Sequence, residues 1–333
     1  MSKTKVAING FGRIGRMVFR QMVEEEDLQI VAINARYPSE TLAHLIKYDS
    51  VHGKFPGDVV AKEKGLEVNG QFIKIVNARN PIDLPWEENE IDIVIEATGQ
   101  FNSKEKAIDH VKAGAKKVIL TAPGTKVDRT IVLGVNEDTY NPETDVVISN
   151  ASCTTNCLAP VVKVLDDEFG IVNGLMTTVH AFTTDQLNLD NPHKDLRRAR
   201  GCTQSIIPTS TGAAKALGEV LPHLSGKLHG MALRVPTPNV SLVDLVVDLK
   251  EDVTVEQVND AFKKAAETNM KNIIDYNEDP LVSIDYTTTE SSAIIDGLST
   301  IVMDDRKVKV LAWYDNEWGY SRRVVDLALY ISN

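Results

Sequence analysis

The chain has 333 residues, with 36 Lys and Arg against 47 Asp and Glu, a formal charge of −11 and three cysteines. That length favours two domains over one core; the acidic balance argues against general nucleic-acid affinity, and so few cysteines do not make a disulfide framework. No apolar run reaches membrane-spanning length and Met1-Ser-Lys-Thr-Lys5 runs straight into a strand, so the expectation is a cytoplasmic protein with no signal peptide and no membrane or nucleic-acid partner.

Lys5-Val-Ala-Ile-Asn9 reads as a short strand. It leads into Gly10-Phe11-Gly12-Arg13-Ile14-Gly15, then into an amphipathic helix from Arg16 to about Glu25. Gly10 permits a tight turn, Gly12 lets backbone approach a pyrophosphate, and Gly15 allows close helix–strand packing. Gly10, Gly12, Arg13, Ile14 and Gly15 are therefore candidate cofactor-binding positions, with the pyrophosphate resting on N–H groups at the helix start. The bland alternative is a structural glycine turn; the strand before, the helix after and a second strand at Gln29–Ile33 favour the dinucleotide reading. An NAD-selective site usually places an acidic residue at the end of the second strand to bind the ribose hydroxyls. Here the chain reads Asn34-Ala35-Arg36-Tyr37. No carboxylate repels a 2′-phosphate, and the Arg36 guanidinium can pair with one. Against this stands a solvated Arg36 beside an Ala35 that tolerates either cofactor.

Further strands follow at α/β spacing: Ile91–Ala97, Lys117–Thr121, Thr130–Gly134 and Val146–Ile148, with a helix at Lys104–Ala113. Leu66–Val76, turning at Asn69-Gly70, reads as an antiparallel excursion. The first 151 residues thus read as an open, mainly parallel sheet with helices on both faces. The Thr98-Gly99 and Thr121-Ala-Pro-Gly124 turns lie at carboxyl ends of strands, where such sheets bind ligands.

After the strand at Val146–Ile148, Ser149-Asn-Ala-Ser-Cys153-Thr-Thr-Asn-Cys157 precedes the helical pattern Leu158–Asp166. Cys153 falls in or just before the first turn, where free N–H groups and the helix dipole favour a thiolate. It is a candidate nucleophile, with a buried, inert thiol as the alternative. Gly174–His180 reads as a strand ending in a histidine, which taken alone is as well explained by a structural hydrogen bond. Residues 181–204 carry Asp185, His193, Lys194, Asp195, Arg197, Arg198 and Arg200, either a solvated face or a site for an anionic substrate. Ser205-Ile-Ile-Pro-Thr-Ser-Thr211-Gly212 then precedes a helix at Ala213–Leu221, and hydroxyls with free N–H groups at a helix start suit a phosphate. Strands at Leu233–Val235, Ser241–Leu249, Ser292–Gly297 and Lys307–Trp313, with a helix at Val255–Glu267, describe a mixed α+β domain.

Gly10–Gly15, Ser149–Cys157, His180, Pro192–Arg200, Thr209–Ala214 and Trp313–Tyr320 together resemble phosphorylating glyceraldehyde-3-phosphate dehydrogenase, in order and over essentially the whole chain. The resemblance implies an α/β protein: a Rossmann-type nucleotide-binding domain (1–151 and 317–333) plus an α+β catalytic domain with a mixed sheet (152–316). It implies Cys153 as nucleophile and His180 as the base that activates it. Thr183 and Arg234 would hold the phosphate of glyceraldehyde 3-phosphate. Ser152, Thr154, Thr211, Gly212 and Arg198 would line the site of the attacking inorganic phosphate. Asn316 would orient the nicotinamide carboxamide, Tyr320 would lie beside its ring, and Arg79 and Thr121 would flank the adenosine. No metal is implied. The family is homotetrameric, with residues 181–204 reaching a neighbouring subunit's cofactor, and its last helix, about Ser321–Ser332, returns to the nucleotide domain.

Two departures bear on the cofactor. NAD-using members resemble this chain except for Asp where Ala35 stands, and usually carry Leu where Asn191 precedes Pro192. Both changes resemble the NADP-preferring, gluconeogenic bacterial branch, with NAD as the alternative cofactor. Erythrose-4-phosphate dehydrogenase, which shares the cysteine–histidine pair, is the rival enzyme; an added redox-sensing or surface-binding role for Cys153 is the rival outside enzymology.

Overall fold

In the computed structural model, which describes residues 3–332, the first half builds a nine-stranded sheet. Its order is Arg129–Thr130, Val147–Ser149, Lys117–Leu120, Ile93–Glu96, Thr4–Asn9, Leu28–Asn34, Gln71–Val76, Gly65–Val68, Val59–Lys62. The central strands pair in parallel, and their unbroken apolar runs, such as Val6-Ala-Ile8 and Val118-Ile-Leu120, are fully buried, as strands covered on both faces require. Only the far edge turns antiparallel. There Asn69 (φ 50°) and Gly70 (φ 81°) are both left-handed, the geometry a two-residue hairpin needs.

The first helix runs Arg13–Met22, three residues earlier at each end than its apolar pattern suggests. Its start is set by the glycine turn. Gly10 has φ 94°, and a Cβ there would come within 2.7–2.9 Å of Thr98 and Ala97, while a Cβ on Gly15 would lie 2.2 Å from the Gly10 carbonyl oxygen. The helix can leave the strand this sharply only with both side chains missing.

The expected strand at Thr130–Gly134 shrinks to Arg129–Thr130. The Val135 N–H turns back to the Val132 carbonyl, the Asn136 side chain caps the Val132 N–H, and Gly134 is left-handed at φ 83°, so the backbone curls away from the ladder. Chain contacts divide the protein into two units, Met1–Ile131 with Asp138–Ala151 and Ser321–Asn333, and Val132–Glu137 with Ser152–Tyr320. In the first unit the last helix is held near its start by Arg322, which donates to Glu25 at 2.7 Å and to Asp326.

The second unit is built on a mixed sheet of order Ile207–Ser210, Leu228–Val235, Ile171–Ala181, Ser241–Leu249, Lys307–Tyr314, Ala293–Asp296, Ile274–Asn277, with Ile301–Met303 beside Lys307–Tyr314. Ile207–Ser210 pairs antiparallel with Leu228–Val235, a strand in a stretch the sequence reading had treated only as the approach to the next helix. Ser241–Leu249 alternates buried and half-buried along its length, so one face of the sheet is packed. The Cys153–Phe169 helix belongs to this unit. So does Val255–Glu267, whose Thr254 and Gln257 form a capping box.

Candidate active site and cofactor cavity

Cys153 is the first residue of its helix, and Ser152 is the cap, its Oγ accepting the Thr155 N–H at 3.1 Å. Ala151, where the chain passes from the first unit to the second, is left-handed at φ 53°. Cys153 is half-buried, whereas Cys157 and Cys202 are buried. His180 stands one residue before the end of Ile171–Ala181, and its Nε2 lies 3.5 Å from the Cys153 Sγ. Its Nδ1 lies 2.6 Å from the Ala181 carbonyl oxygen, which can only accept. Nδ1 also lies 3.0 Å from the Arg234 Nη1, which can only donate; of the two contacts the shorter, to the carbonyl oxygen, puts the ring proton on Nδ1 and turns the Nε2 lone pair to the thiol.

Parallel register places Arg234 directly beside His180. The Arg234 Nη1 donates to the Ala181 oxygen at 3.0 Å and to the Thr183 Oγ1 at 3.4 Å. Its Nε is buried without a partner, an orphaned cationic donor that an anion would satisfy. The sequence-predicted Thr183 and Arg234 are thus brought together with His180. Arg198 comes close enough for its charge to act on His180 and Arg234, although its guanidinium is bonded to Asp185 at 2.5 Å and to the Thr209 Oγ1 at 3.1 Å. The basic stretch is no free cationic face, since Arg200 pairs with Asp190 and His193 leans on Asp185. Gly212 precedes the Ala213–Val220 helix, and a Cβ there would meet nothing within 4 Å. The Thr211 Oγ1 accepts the Ala213 N–H at 3.3 Å. The Thr154 hydroxyl is buried on the Tyr314 hydroxyl at 3.0 Å, and Tyr314 also reaches the Thr178 Oγ1 at 2.8 Å. Sequence reasoning passed over Tyr314. The signal was present in Lys307–Tyr314, where Val308, Val310, Ala312 and Tyr314 share the buried face and a hydroxyl needs a partner.

The electrostatics correct one expectation. Burial pushes the Cys153 thiol up, and the charge of Arg234 with hydrogen bonds from Thr154 offsets this only in part, so the helix start by itself does not give a low-pKa thiol. Burial, reinforced by Arg234, holds His180 down at about 3. Each shift penalises an isolated charge. Moving the proton from Sγ to Nε2 creates no isolated charge, only adjacent opposite ones, so the two groups titrate as a pair.

A bracket behind this centre fixes Asn316. The Ser241 Oγ accepts the Ala181 N–H at 3.0 Å and donates to the Asn316 Oδ1 at 2.7 Å, and Asn239 donates to Asp315 at 2.8 Å. Val240 between them has φ 65°, strain of about 1–3 kcal/mol for a β-branched residue. Tyr320 is buried. Asn191 is exposed, its N–H on the Ala199 carbonyl.

In the first unit a cavity of about 340 Å³ opens at the carboxyl ends of the parallel strands, where Gly10, Gly12, Ala35, Arg36 and Arg79 form part of its wall. A Cβ on Gly12 would meet nothing within 4 Å, so the turn leaves room for a group resting on the helix start. Thr98, in a turn the sequence reading placed at a ligand-binding strand end, lines the cavity, and so do Asn9, Asn34 and Phe101, which that reading had not singled out. Arg13, Ile14 and Gly15 do not. Arg13 instead grips Asp49 with two bonds, at 2.6 and 3.2 Å. Thr121 ends the next strand, its hydroxyl on the Glu96 carbonyl at 3.1 Å. Arg36 and Arg79 are exposed and, among the described residues, neither has a hydrogen-bond or ion-pair partner. No group of side chains fit to hold a metal ion occurs among the described residues, and no helix is long and apolar enough to cross a membrane.

Residues 4–104 match the profile of the glyceraldehyde 3-phosphate dehydrogenase NAD binding domain, and residues 152–316 match that of the same family's C-terminal domain. Over 330 residues the chain is 69% identical to a Bacillus subtilis (strain 168) protein named glyceraldehyde-3-phosphate dehydrogenase 2, covering 99% of this chain and 97% of that one. Proteins of the same name from Staphylococcus epidermidis (strain ATCC 12228) and Staphylococcus aureus (strain MRSA252) are 62% and 63% identical, each across 98% of this chain and 96% and 95% of their own.

Proposed function

The chain belongs to the glyceraldehyde-3-phosphate dehydrogenase family, and from that premise we propose that it is an NADP-preferring, gluconeogenic form whose chemistry is carried by Cys153 and His180. The enzyme is a phosphorylating, NAD(P)-dependent oxidoreductase that interconverts glyceraldehyde 3-phosphate and inorganic phosphate with 1,3-bisphosphoglycerate.

The mechanism follows from the pair 3.5 Å apart. Proton transfer to the His180 Nε2 leaves the Cys153 thiolate to attack the aldehyde carbon, and Nε2 returns that proton to the carbonyl oxygen as the hemithioacetal forms. The Nε2 then takes the hydroxyl proton as hydride leaves that carbon. When bound, the nicotinamide supplies the hydride acceptor. Cys153 now holds a thioester, which keeps the oxidation energy in a good leaving group. Inorganic phosphate attacks its carbonyl, the acyl phosphate departs, and Sγ recovers its proton. Arg234 and Thr183 suit the substrate phosphate, because Arg234 offers an orphaned buried N–H beside the base. Ser152, Thr154, Thr211, Gly212 and Arg198 are our assignment for the attacking phosphate; the open space at Gly212 supports it.

The cofactor preference rests on one observation: where a ribose-binding carboxylate would stand, Ala35 is followed by Arg36, and both Arg36 and Arg79 reach the cavity with their charges unanswered. A 2′-phosphate answers them. Asn316, Tyr320 and Thr121 complete our assignment of the cofactor site, and Asn191 would serve it from a neighbouring subunit. A homotetramer in the cytoplasm belongs to the same reading. The assembly is supported by the sheet of the second unit, whose less packed face exposes Leu175, Met231, Ile301 and Met303. Steady-state kinetics of Ala35→Asp test the preference. The new carboxylate should shift the NADP-to-NAD ratio of kcat/KM toward NAD by about tenfold or more; an unchanged ratio would remove position 35 from the argument.

A further inference from the structure

Beneath the cofactor cavity lies a carboxylate that the catalytic steps never use. Glu96 ends the central strand Ile93–Glu96 and is 1% exposed. A buried carboxylate is tolerable only if its oxygens are answered, and these are. Its Oε1 accepts the Thr98 N–H at 2.8 Å and the Thr98 hydroxyl. Its Oε2 accepts the Asn9 side-chain N–H at 2.5 Å and lies 3.0 Å from the His110 Nε2. On the other side of that ring, the Trp86 indole N–H points at the His110 Nδ1 at 2.9 Å. An indole can only donate, so Nδ1 is the acceptor and the ring proton sits on Nε2, aimed at Glu96. Both His110 and Trp86 are 0% exposed.

The network continues outward into the cavity wall. The Asn9 Oδ1 accepts the Asn34 Nδ2 at 2.6 Å, and Asn34 exchanges hydrogen bonds with the Ala78 backbone, each at 3.0 Å. Asn9, Asn34, Ala78 and Thr98 all line the cavity. Asn9 precedes Gly10, Asn34 precedes Ala35 and Arg36, Ala78 precedes Arg79, and Thr98 is the residue against which Gly10 packs. One carboxylate therefore ties together backbone segments from four different parts of the sequence.

We infer that Glu96, oriented by His110 and Trp86, is the positioning residue of the cofactor site, setting the spacing between the pyrophosphate turn and the segments that hold the adenosine. The inference rests on reading this cavity as the dinucleotide site. Glu96 touches no substrate; it acts through Asn9 and Thr98. Its effect should fall on both cofactors alike, unlike that of Arg36.

Calorimetric titration with ADP-ribose and its 2′-phosphorylated form tests this without turnover. In Glu96→Gln, which sets an amide N–H₂ among donors, and in His110→Leu, both probes should bind about tenfold or more weakly with the ratio of their affinities kept. His110→Gln can accept from Trp86 and donate to Glu96, and should recover most of the loss, which general destabilisation would not allow. With NADP as varied substrate the same variants should raise KM far more than they lower kcat. Folded variants that bind both probes within about twofold of wild type, a loss confined to the 2′-phosphorylated probe, or a His110→Gln no better than His110→Leu would overturn the inference. Wild-type protein that binds neither probe would instead refute the cavity assignment, and the inference with it. In the unmutated, cofactor-free protein, ¹⁵N NMR of labelled histidine should find the His110 proton on Nε2; a proton on Nδ1 would overturn the inference whatever the variants do.

Discussion

At the scale of single residues, the reactivity we propose for Cys153 rests on a partner more than on its place on a helix. Burial works against its thiolate, and the neutral Nε2 of His180 is the group positioned to relieve that. Replacing His180 by Asn should therefore move the pH profile of Cys153 alkylation upward, because a lone buried thiol ionises only at high pH. The alkylation rate near neutrality should fall and then recover as pH rises. In steady state kcat should drop on the order of 10²-fold or more, the usual loss on removing a general base. Cys153→Ser should abolish oxidation while cofactor affinity, measured by calorimetry, stays within about twofold of wild type, since a hydroxyl there is a poor nucleophile but touches none of the cavity wall. Turnover near the wild-type rate would end the assignment. Cys153 was legible because a thiol after a strand and before a helix is rare in a chain with so few. Tyr314 and Glu96 were not. Each is a polar group ending a strand of apolar neighbours, and which partner it finds depends on strands distant in sequence.

Among the elements, the Arg13–Met22 helix is the one whose boundary matters most, because its start is the turn we propose for the pyrophosphate. The sequence reading placed that start three residues late, at Arg16 after the last glycine of the motif, whereas the helix already begins at Arg13 within it. Arg13 is not spent on solvent. Burial alone would raise the carboxyl of Asp49, but two bonds from Arg13 and the N–H groups of His52 and Val51 outweigh it and hold Asp49 at about 2. This folded value lies below the unfolded one near 3.8, so the stabilisation is present above about pH 4 and is lost as pH falls toward 2. It amounts to about 2 kcal/mol. Urea unfolding of Asp49→Asn should show a deficit of that size at pH 7 that closes as wild type is taken from pH 4 to pH 2; a deficit independent of pH would mean the side chain matters only for packing. The hairpin at Asn69-Gly70 and the helix Val255–Glu267 lay where their turn and cap residues put them, because those signals are local. The strand Ile207–Ser210 was missed because four residues carrying a proline and two hydroxyls show no strand pattern of their own, and only pairing with Leu228–Val235 makes it a strand.

For the whole molecule, a formal charge of −11 makes the unanswered guanidiniums of Arg36 and Arg79 the more telling, for a globally acidic protein has placed isolated positive charge at its cofactor cavity. The alternation of parallel strands and helices, followed by a mixed sheet, was visible in the order of apolar runs, because parallel strands buried on both faces leave a continuous signature. Side-chain networks that cross several strands left none. What the fold and family establish is the reaction; the Ala35, Arg36 and Arg79 constellation is what supports our proposal that it serves NADP and runs in the reductive direction. The most direct test is phosphate-dependent oxidation of glyceraldehyde 3-phosphate by the wild-type enzyme, with kcat/KM measured for NADP and for NAD in the same buffer. A higher value with NADP is the predicted result, and a higher value with NAD would contradict it.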